Sequence, residues 1–503
     1  MKHFSLIVIL SFITGINIYG QSATNLTDKH RLIILADMGN EPDEMQQMIH
    51  MITCSNEFDI EGLIAVTGKY IRPGSHLGEY NWVTHPELFI SIIDAYAKVL
   101  DNLKLHSSGW PEPNYLKSIV APGQKGYGIK DVSVGNSSAG SDLIIKAVEK
   151  DDSRPIWVVV NAGSNTLAQA LVDYKATHSK QELDSFIAKL RVFENGSQDN
   201  AGAWICSKFP KIHWIRSNYQ TYAYGGPTNK NLGPNFWTPF DNSTNGQLEW
   251  LKKHVMTDHG ALGELYPERR FHAWGDGVVG FMEGGGTIPW MGLVNKGLFD
   301  INQPSWGGWG GRFSKRKTPD FWSRHKDIKE DEIKVAPFYT YREVSDHWKN
   351  PETGKTYNNN YVPIWRWRAA MYNDQICRMD WCVKSFKEAN HHPIAAFNGD
   401  VSNTIIRLNA NAGEIIDLDA TASKDPDGDQ LNYHWWIYQE AGTYSGEVYI
   451  ENAHTSKTKL RIPTGAVGSQ IHLILEVKDA NKIASLFDYR RIVIDVDNVI
   501  TGQ

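Results

Sequence analysis

From about residue 28 to residue 385 the chain alternates short apolar runs with segments of helical period. No other feature constrains the fold as strongly. Residues 32–36 (LIILA) read as a buried strand. Residues 42–55 read as a helix with Met45, Met48, Ile49 and Ile52 on one face, and residues 60–67 as the next strand. Strands that alternate with helices imply a parallel sheet, because each return path is a helix lying on the sheet face. The rhythm continues with helices near 86–103, 141–150, 166–174 and 201–209, and strands at 156–160, 190–193 and 212–215. The Gly/Trp-rich stretch 275–313 has no period and reads as long loops, which in a compact domain tend to carry function.

Near residue 391 the pattern changes to seven short alternating segments, at 404–409, 414–420, 431–438, 447–451, 458–462, 470–478 and 487–496. That spacing predicts a β-sandwich of immunoglobulin type. Asp425-Pro-Asp-Gly-Asp429 marks a tight turn, and His391-His392-Pro393 a linker. A chain of 503 residues exceeds the ~250–300 that one hydrophobic core supports, so two domains, 28–385 and 391–503, are expected. Residues 1–20, a short basic start followed by an apolar run, read as a secretory signal. They predict a secreted or periplasmic protein with no membrane span after cleavage. Cys54, Cys206, Cys377 and Cys382 show no metal spacing and are expected as buried thiols, with room for one disulfide. Lys+Arg 51 against Asp+Glu 57 gives a net charge of −6, which excludes a protein built to neutralise phosphates.

In open parallel sheets, ligands bind outside the carboxyl ends of the strands. The strand at 32–36 is followed by Asp37-Met-Gly-Asn40-Glu41-Pro-Asp43-Glu44, and that at 156–160 by Asn161-Ala-Gly-Ser164-Asn165-Thr166. The strand at 190–193 is followed by Glu194-Asn195-Gly-Ser-Gln198-Asp199-Asn200, and that at 212–215 by Arg216-Ser-Asn218-Tyr219. These carboxylates, amides and hydroxyls suit a polyhydroxy ligand, a hard cation such as Ca²⁺, or both. Asp43 and Glu44 also sit where a helix dipole favours acidic residues without any function. Four carboxylates within eight residues, however, repel one another by more than the dipole offsets.

The loop from Asp37 to Glu44 resembles the aspartate-rich loop of nucleoside hydrolases. The stretch Val159-Val-Asn-Ala-Gly163-Ser-Asn165-Thr166-Leu-Ala-Gln-Ala-Leu171 is similar to that family's second strand–loop–helix signature. Asn40-Glu41-Pro42-Asp43-Glu44, Gln198-Asp199-Asn200 and Gly307-Gly-Trp-Gly-Gly-Arg-Phe313 resemble more closely the bacterial nucleoside-hydrolase-like proteins described as cellulose-binding. Those proteins carry a C-terminal immunoglobulin-like domain. The resemblance implies Ca²⁺ held by Asp37, Glu44 and a carbonyl of the Asn165–Thr166 loop, with Asp43 as general base. Asp37, Asp43 and Glu44 thus form the implied catalytic set. It also implies that Glu194, Asn195, Gln198 and Asp199, with Asn40, Glu41 and Asn165 nearby, hold sugar hydroxyls. The family completes its metal site with a late His-Asp pair. This chain has Glu283-Gly-Gly-Gly-Thr-Ile-Pro-Trp290 there, with Asp276 and Glu283 as the nearest carboxylates.

The chain has 18 tryptophans, a surplus. Trp157, Trp204, Trp435 and Trp436 read as core residues. Trp306, Trp309, Trp322, Trp365 and Trp367 lie in loops or near glycines, and Trp306 and Trp309 are taken as ligand contacts beside Arg312. The leading expectation is a secreted enzyme acting on polysaccharide-derived oligosaccharides by metal-assisted glycosidic hydrolysis. The alternatives are a lyase or dehydratase on uronic-acid sugars and a non-catalytic carbohydrate-binding protein. Nucleoside salvage ranks last. No nucleic-acid partner is expected, and the sequence leaves the oligomeric state open.

Overall fold

A computed structural model of the chain describes residues 29–497, apart from 41, 219, 226–244, 268–281, 283, 295–296, 319–332 and 352. The expected signal segment, Glu41, Asp276, Glu283 and Trp322 lie outside the described residues. The five apolar runs become β1 (His30–Ala36), β2 (Phe58–Ala65), β4 (Ile156–Val160), β5 (Leu190–Asn195) and β6 (His213–Ser217), and a short strand that the sequence does not announce, β3 (Val120–Pro122), joins them. With β7 (Phe313–Lys317) and β8 (Tyr339–Glu343) they form one sheet in the order β3-β2-β1-β4-β5-β6-β8-β7. Neighbours run parallel except β7, which pairs antiparallel with β8.

The inner strands are buried on both faces, so their sequences are continuously apolar. Leu32, Ile34, Trp157, Val159, Phe193 and Ile215 face helices Pro42–Thr53, Glu87–His106 and Arg368–Asp380. Ile33, Leu35, Val158, Val160, Val192 and Trp214 face helices Ala139–Glu149, Asn165–Thr177 and Ala201–Lys208. The sheet thus separates two cores, and every helix return places a loop at the carboxyl ends of the strands.

After a hairpin of β9 (Asp346–Lys349) and β10 (Thr356–Asn359), the C-terminal part folds as two facing sheets. One is β11 (Ile406–Asn411), β17 (Phe487–Asp497), β16 (Gln470–Asp479) and β13 (Leu431–Ile437), in that spatial order. The other is β12 (Ile415–Asp419), β15 (Lys457–Arg461) and β14 (Tyr449–Ile450). The seven alternating segments therefore all become strands. Leu418, Trp435, Leu460, Leu473 and Ile492 fill the space between the sheets. In the turn, Asp425 Oδ1 accepts the backbone N–H groups of Asp427 and Asp429, both at 2.9 Å.

The seam between the two parts is a packed core rather than a hinge. Trp309, Trp367, Tyr438, Ile474, Leu486 and Tyr489 belong to the same apolar cluster as β1 and helix Pro42–Thr53. This corrects the reading of the loop tryptophans. Trp306 is 6% exposed, meets the His472 ring edge-on at 4.9 Å and lies under the Arg407 guanidinium at 4.9 Å. Trp309 is 3% exposed and packs edge-on against Tyr489. Trp365 and Trp367 are buried as well, so none of these four is free to contact a ligand. Arg312 also serves the seam: it donates to Asp346 Oδ1 at 2.6 Å, Glu440 O at 3.0 Å and Ser345 O at 2.9 Å. The glycines beside these tryptophans exist for close packing; a Cβ on Gly307 would stand 2.6 Å from Tyr438 Oη. All four cysteines are buried free thiols, so the disulfide left open by the sequence does not form. No helix among the described residues is long and apolar enough to cross a membrane.

Arg491 bolts the seam. It is fully buried and donates to Leu298 O and Gly307 O across it, each at 2.9 Å. Its third contact is His472 Nδ1, at 2.9 Å. Arg491→Ala leaves two buried carbonyls without donors and opens a cavity. We expect a loss of about 3–5 kcal/mol, read as a lower urea midpoint of the whole chain.

Candidate active site

The strand order reverses at β1: β2 and β3 lie on one side of it and β4 on the other. In open α/β sheets such a switch point is where ligands bind, in the crevice outside the carboxyl ends of the strands. Asn161 is tied to this point, its N–H donating to Leu35 O at 2.9 Å.

The acidic loop fills the β1 side. Gly39 has φ +95°, and a Cβ there would lie 2.9 Å from the His85 ring and 3.0 Å from Tyr80 Oη. Only glycine makes this turn. Asn40 N–H donates to Asp37 O at 3.2 Å, and Asp43 and Glu44 occupy the first turn of helix Pro42–Thr53. Asp37 is 1% exposed. Burial, and after it the Asp43 charge, pushes its pKa up to about 7. Asp43 is half-buried, whereas Asp37 and Glu44 are buried.

The unpaired atoms are informative. Asp37 Oδ1, Asn40 Oδ1, Asp43 Oδ1, Asn161 Oδ1 and Gln198 Oε1 are buried oxygens without a hydrogen-bond partner. All five are acceptors, whereas buried acceptors normally find donors. A hard cation takes oxygen ligands of this kind, and so do the hydroxyls of a sugar. The residues present therefore fit a divalent cation such as Ca²⁺.

Gly284, Gly285 and Gly286 close the far side. A Cβ on Gly286 would stand 2.6 Å from Asn161 Nδ2, one on Gly285 2.9 Å from Tyr222, and one on Gly284 2.7 Å from Tyr224. Backbone alone fits there, and Gly286 O lies 3.4 Å from Asn161 Nδ2.

Several expected ligands turn out to be structural. Glu194 points into the helix layer, where Oε1 accepts from Ser164 Oγ and Oε2 from Trp214 Nε1, both at 3.1 Å. Asp199 accepts the N–H of Ala201 at 2.9 Å and of Asn165 at 3.1 Å, which ties two helix starts together. Thr166 lies inside helix Asn165–Thr177, where its carbonyl runs with the helix ladder, and its Oγ1 accepts from Gln124 N at 2.9 Å. These three are corrected from ligand to scaffold. Asn165 anchors Thr67 Oγ1 and Gly126 O through Nδ2. Asn195 accepts from Thr221 Oγ1 at 2.7 Å and stays beside Gly285. Gln198 reaches Asn161 O through Nε2 at 3.2 Å. Asn161, Tyr80 and His85 are additions to the expected site; for Asn161 the signal was its place at a strand end.

One group of His, Cys and carboxylate side chains lies within mutual ligand distance among the described residues: His50, Cys54 and Asp374. Asp374 is already engaged: the Arg378 guanidinium pairs with it at 2.9 Å, and His392 Nε2 lies 2.7 Å from its Oδ1.

A parallel α/β sheet with an acidic crevice at its switch point, followed by an all-β unit, defines a nucleoside-hydrolase-like protein with a C-terminal β domain. Residues 31–313 match the family described as cellulose-binding Sde182, nucleoside hydrolase-like domain. Residues 415–496 match the C-terminal domain of cellulose-binding protein Sde0182. The chain belongs to this family. A solved structure from Saccharophagus degradans is 36% identical with a TM-score of 0.75, covering 93% of this chain and 100% of its own. It is described as a nucleoside hydrolase-related hypothetical protein associated with carbohydrate metabolism. A PKD domain from human KIAA0319 is 17% identical over 20% of this chain and 89% of its own, at a TM-score of 0.13. No curated protein matches the chain.

The raised pKa of Asp37 has a thermodynamic consequence. Between its ordinary value of 3.8 and about 7, the folded protein holds a proton that the unfolded chain has released. Stability therefore falls as pH rises through that window. Asp37→Asn removes this slope and, in chelator, raises Tm by about 2–4 °C near neutral pH. If the site holds calcium, the ion is expected to raise the Tm of the wild type and to leave Asp37→Asn unmoved. Melts with chelator and with calcium at about pH 5 and about pH 7.5 measure both effects.

Proposed function

We propose that the protein is an exported carbohydrate-active hydrolase that cleaves a glycosidic bond in polysaccharide-derived oligosaccharides at the β1/β4 crevice. The observation that carries this reading is the group of buried acceptor oxygens without donors, on Asp37, Asn40, Asp43, Asn161 and Gln198. The family's description as cellulose-binding supports a saccharide as the ligand.

In this reading Asp37 and Glu44, both buried, hold Ca²⁺, with Asn40 and Asn161 offering amide oxygens. When bound, the cation lowers the pKa of a coordinated water and neutralises the carboxylates. Asp43 is the base. It is half-buried, its Oδ1 has no partner, and it stands in the first turn of helix Pro42–Thr53. It takes the proton of the water that adds to the anomeric carbon as the bond to the leaving oxygen breaks, and the leaving oxygen takes a proton from solvent water. Asn195 and Gln198 orient sugar hydroxyls from the β5 side. The backbone of Gly284–Gly286 limits the depth of the crevice and keeps bulk water from entering behind the ring.

The family's description favours a second reading, in which the same crevice binds glycans without turning them over. A product-resolved screen of plant and algal polysaccharide digests decides between the two. We expect new reducing ends with wild type and a fall in rate of about 10²–10⁴-fold in Asp43→Asn, with binding retained. Products absorbing as unsaturated uronates would replace the hydrolase with a lyase. Binding without turnover in both proteins would establish the non-catalytic reading.

A further inference from the structure

Among the described tryptophans one stands out. Trp82 is 41% exposed, while every other is buried or half-buried. Its loop reaches the acidic loop, where Tyr80 and His85 stand against Gly39. Trp82 ends a one-turn helix, Glu79–Trp82, in the loop that follows β2.

That loop is rigid. Arg72 N–H donates to Asn81 O at 2.7 Å, and Ser75 Oγ donates to Tyr70 O at 2.9 Å. Trp82 Nε1 donates to Ser75 O at 3.0 Å, which fixes the indole while leaving a large part of it in solvent. The loop is also joined to both walls of the crevice. On the acidic side, Tyr80 stacks on His85 with ring centroids 4.0 Å apart, and both press on Gly39. On the β5 side, the Arg72 guanidinium lies over Tyr127 at 5.0 Å, and Tyr127 Oη donates to Gln198 O at 2.9 Å. Val83, 59% exposed, extends the apolar surface beside Trp82.

We propose that Trp82 is the stacking platform of a sugar subsite at the rim of this crevice, and that its occupant is a β-linked pyranose unit next to the one bound at the acidic loop. This rests on the saccharide reading above. The occupant must offer a flat apolar face to the indole and hydroxyls to the oxygen-lined floor. The axial C–H groups and equatorial hydroxyls of a β-linked glucose chain do both. An indole already held by a hydrogen bond loses little conformational freedom on binding, so the contact adds affinity at low entropic cost. The sequence surplus of tryptophan pointed to Trp306 and Trp309; burial transfers that role to Trp82.

The test uses the full-length protein, cello-oligosaccharides of increasing length and insoluble cellulose. Calorimetry and cellulose sedimentation should show Trp82→Ala weakening binding by about tenfold, with an unchanged melting temperature. Trp82→Phe should restore most of the affinity. Tryptophan fluorescence should shift on titration with wild type and not with Trp82→Phe. The loss should grow once the oligosaccharide is long enough to reach two subsites. Wild-type binding that Trp82→Ala leaves unchanged would overturn the platform and leave the saccharide reading standing. Absence of any binding or turnover by wild type would overturn both.

Discussion

A carboxylate buried against a second carboxylate is costly unless something positive meets it, and Asp37 is such a group. It is 1% exposed, with Asp43 as its main electrostatic neighbour. A hydrogen bond with its own backbone, one with the Glu44 side chain and one with Asn40, whose Nδ2 stands 3.4 Å from Oδ2, relieve it only in part against burial and the Asp43 charge. Yet the backbone holds this arrangement firmly. Gly39 is pinned between Asp37 and the Tyr80–His85 stack, and helix Pro42–Thr53 is buried along nearly its whole length. A fold that keeps acceptors together without donors stores a demand for a cation or for ligand hydroxyls.

The contrast with other carboxylates sharpens the point. Glu194, Asp199 and Glu343 also lie at or near strand ends, but their oxygens accept from named donors. Glu343 alone takes Ser217 Oγ at 2.7 Å, Asn218 N at 2.6 Å and Gln220 N at 2.8 Å. These groups hold loops in place. Acidic residues of the same types therefore divide by their partners into scaffold and site, and the division follows the crevice. Buried acceptors without a partner on Asp37, Asn40, Asp43 and Asn161 stand in the segments that follow β1 and β4, where the strand order reverses, while the satisfied carboxylates brace the loops beside them.

The C-terminal sandwich takes part in this bracing from a distance. Its β16 and β17 pack on the face of the α/β part that carries helix Arg368–Asp380, and Arg491 donates into the loop 297–307. That loop leads to β7, which flanks β8, and β8 in turn pairs with β6. The edge of the parallel sheet is thus held by the sandwich. Trp306, Trp309 and Trp367 are the apolar filling of that contact. A module tethered only to bring the α/β part to a polymer would not need three buried tryptophans and a buried arginine at its base.

Most elements were legible because periodicity reports which residues meet a core; β3 (Val120–Pro122), at three residues, is too short to show it, and β7 and β8 follow or flank long aperiodic stretches. The first loop was legible too, since Asp37 follows the strand that starts the sheet. Beyond that, position in the chain does not give direction. In β5, Val192 and Glu194 point to one face while Phe193 and Asn195 point to the other. A register of one residue decides that Asn195 borders the crevice and Glu194 does not. Glycine context misled in a similar way. Gly307 is needed because Tyr438 comes close, a fact of tertiary packing that lends Trp306 no exposure. Trp82 carried no such flag, since its loop has no period and few glycines. What marks it is a difference visible only in three dimensions: its ring nitrogen is satisfied by Ser75 O, yet the residue stays 41% exposed on a loop joined to Gly39 through Tyr80 and His85. An indole fixed at one edge and open to solvent is already oriented for a flat apolar partner, and that geometry, not the count of tryptophans, is what the sugar platform rests on.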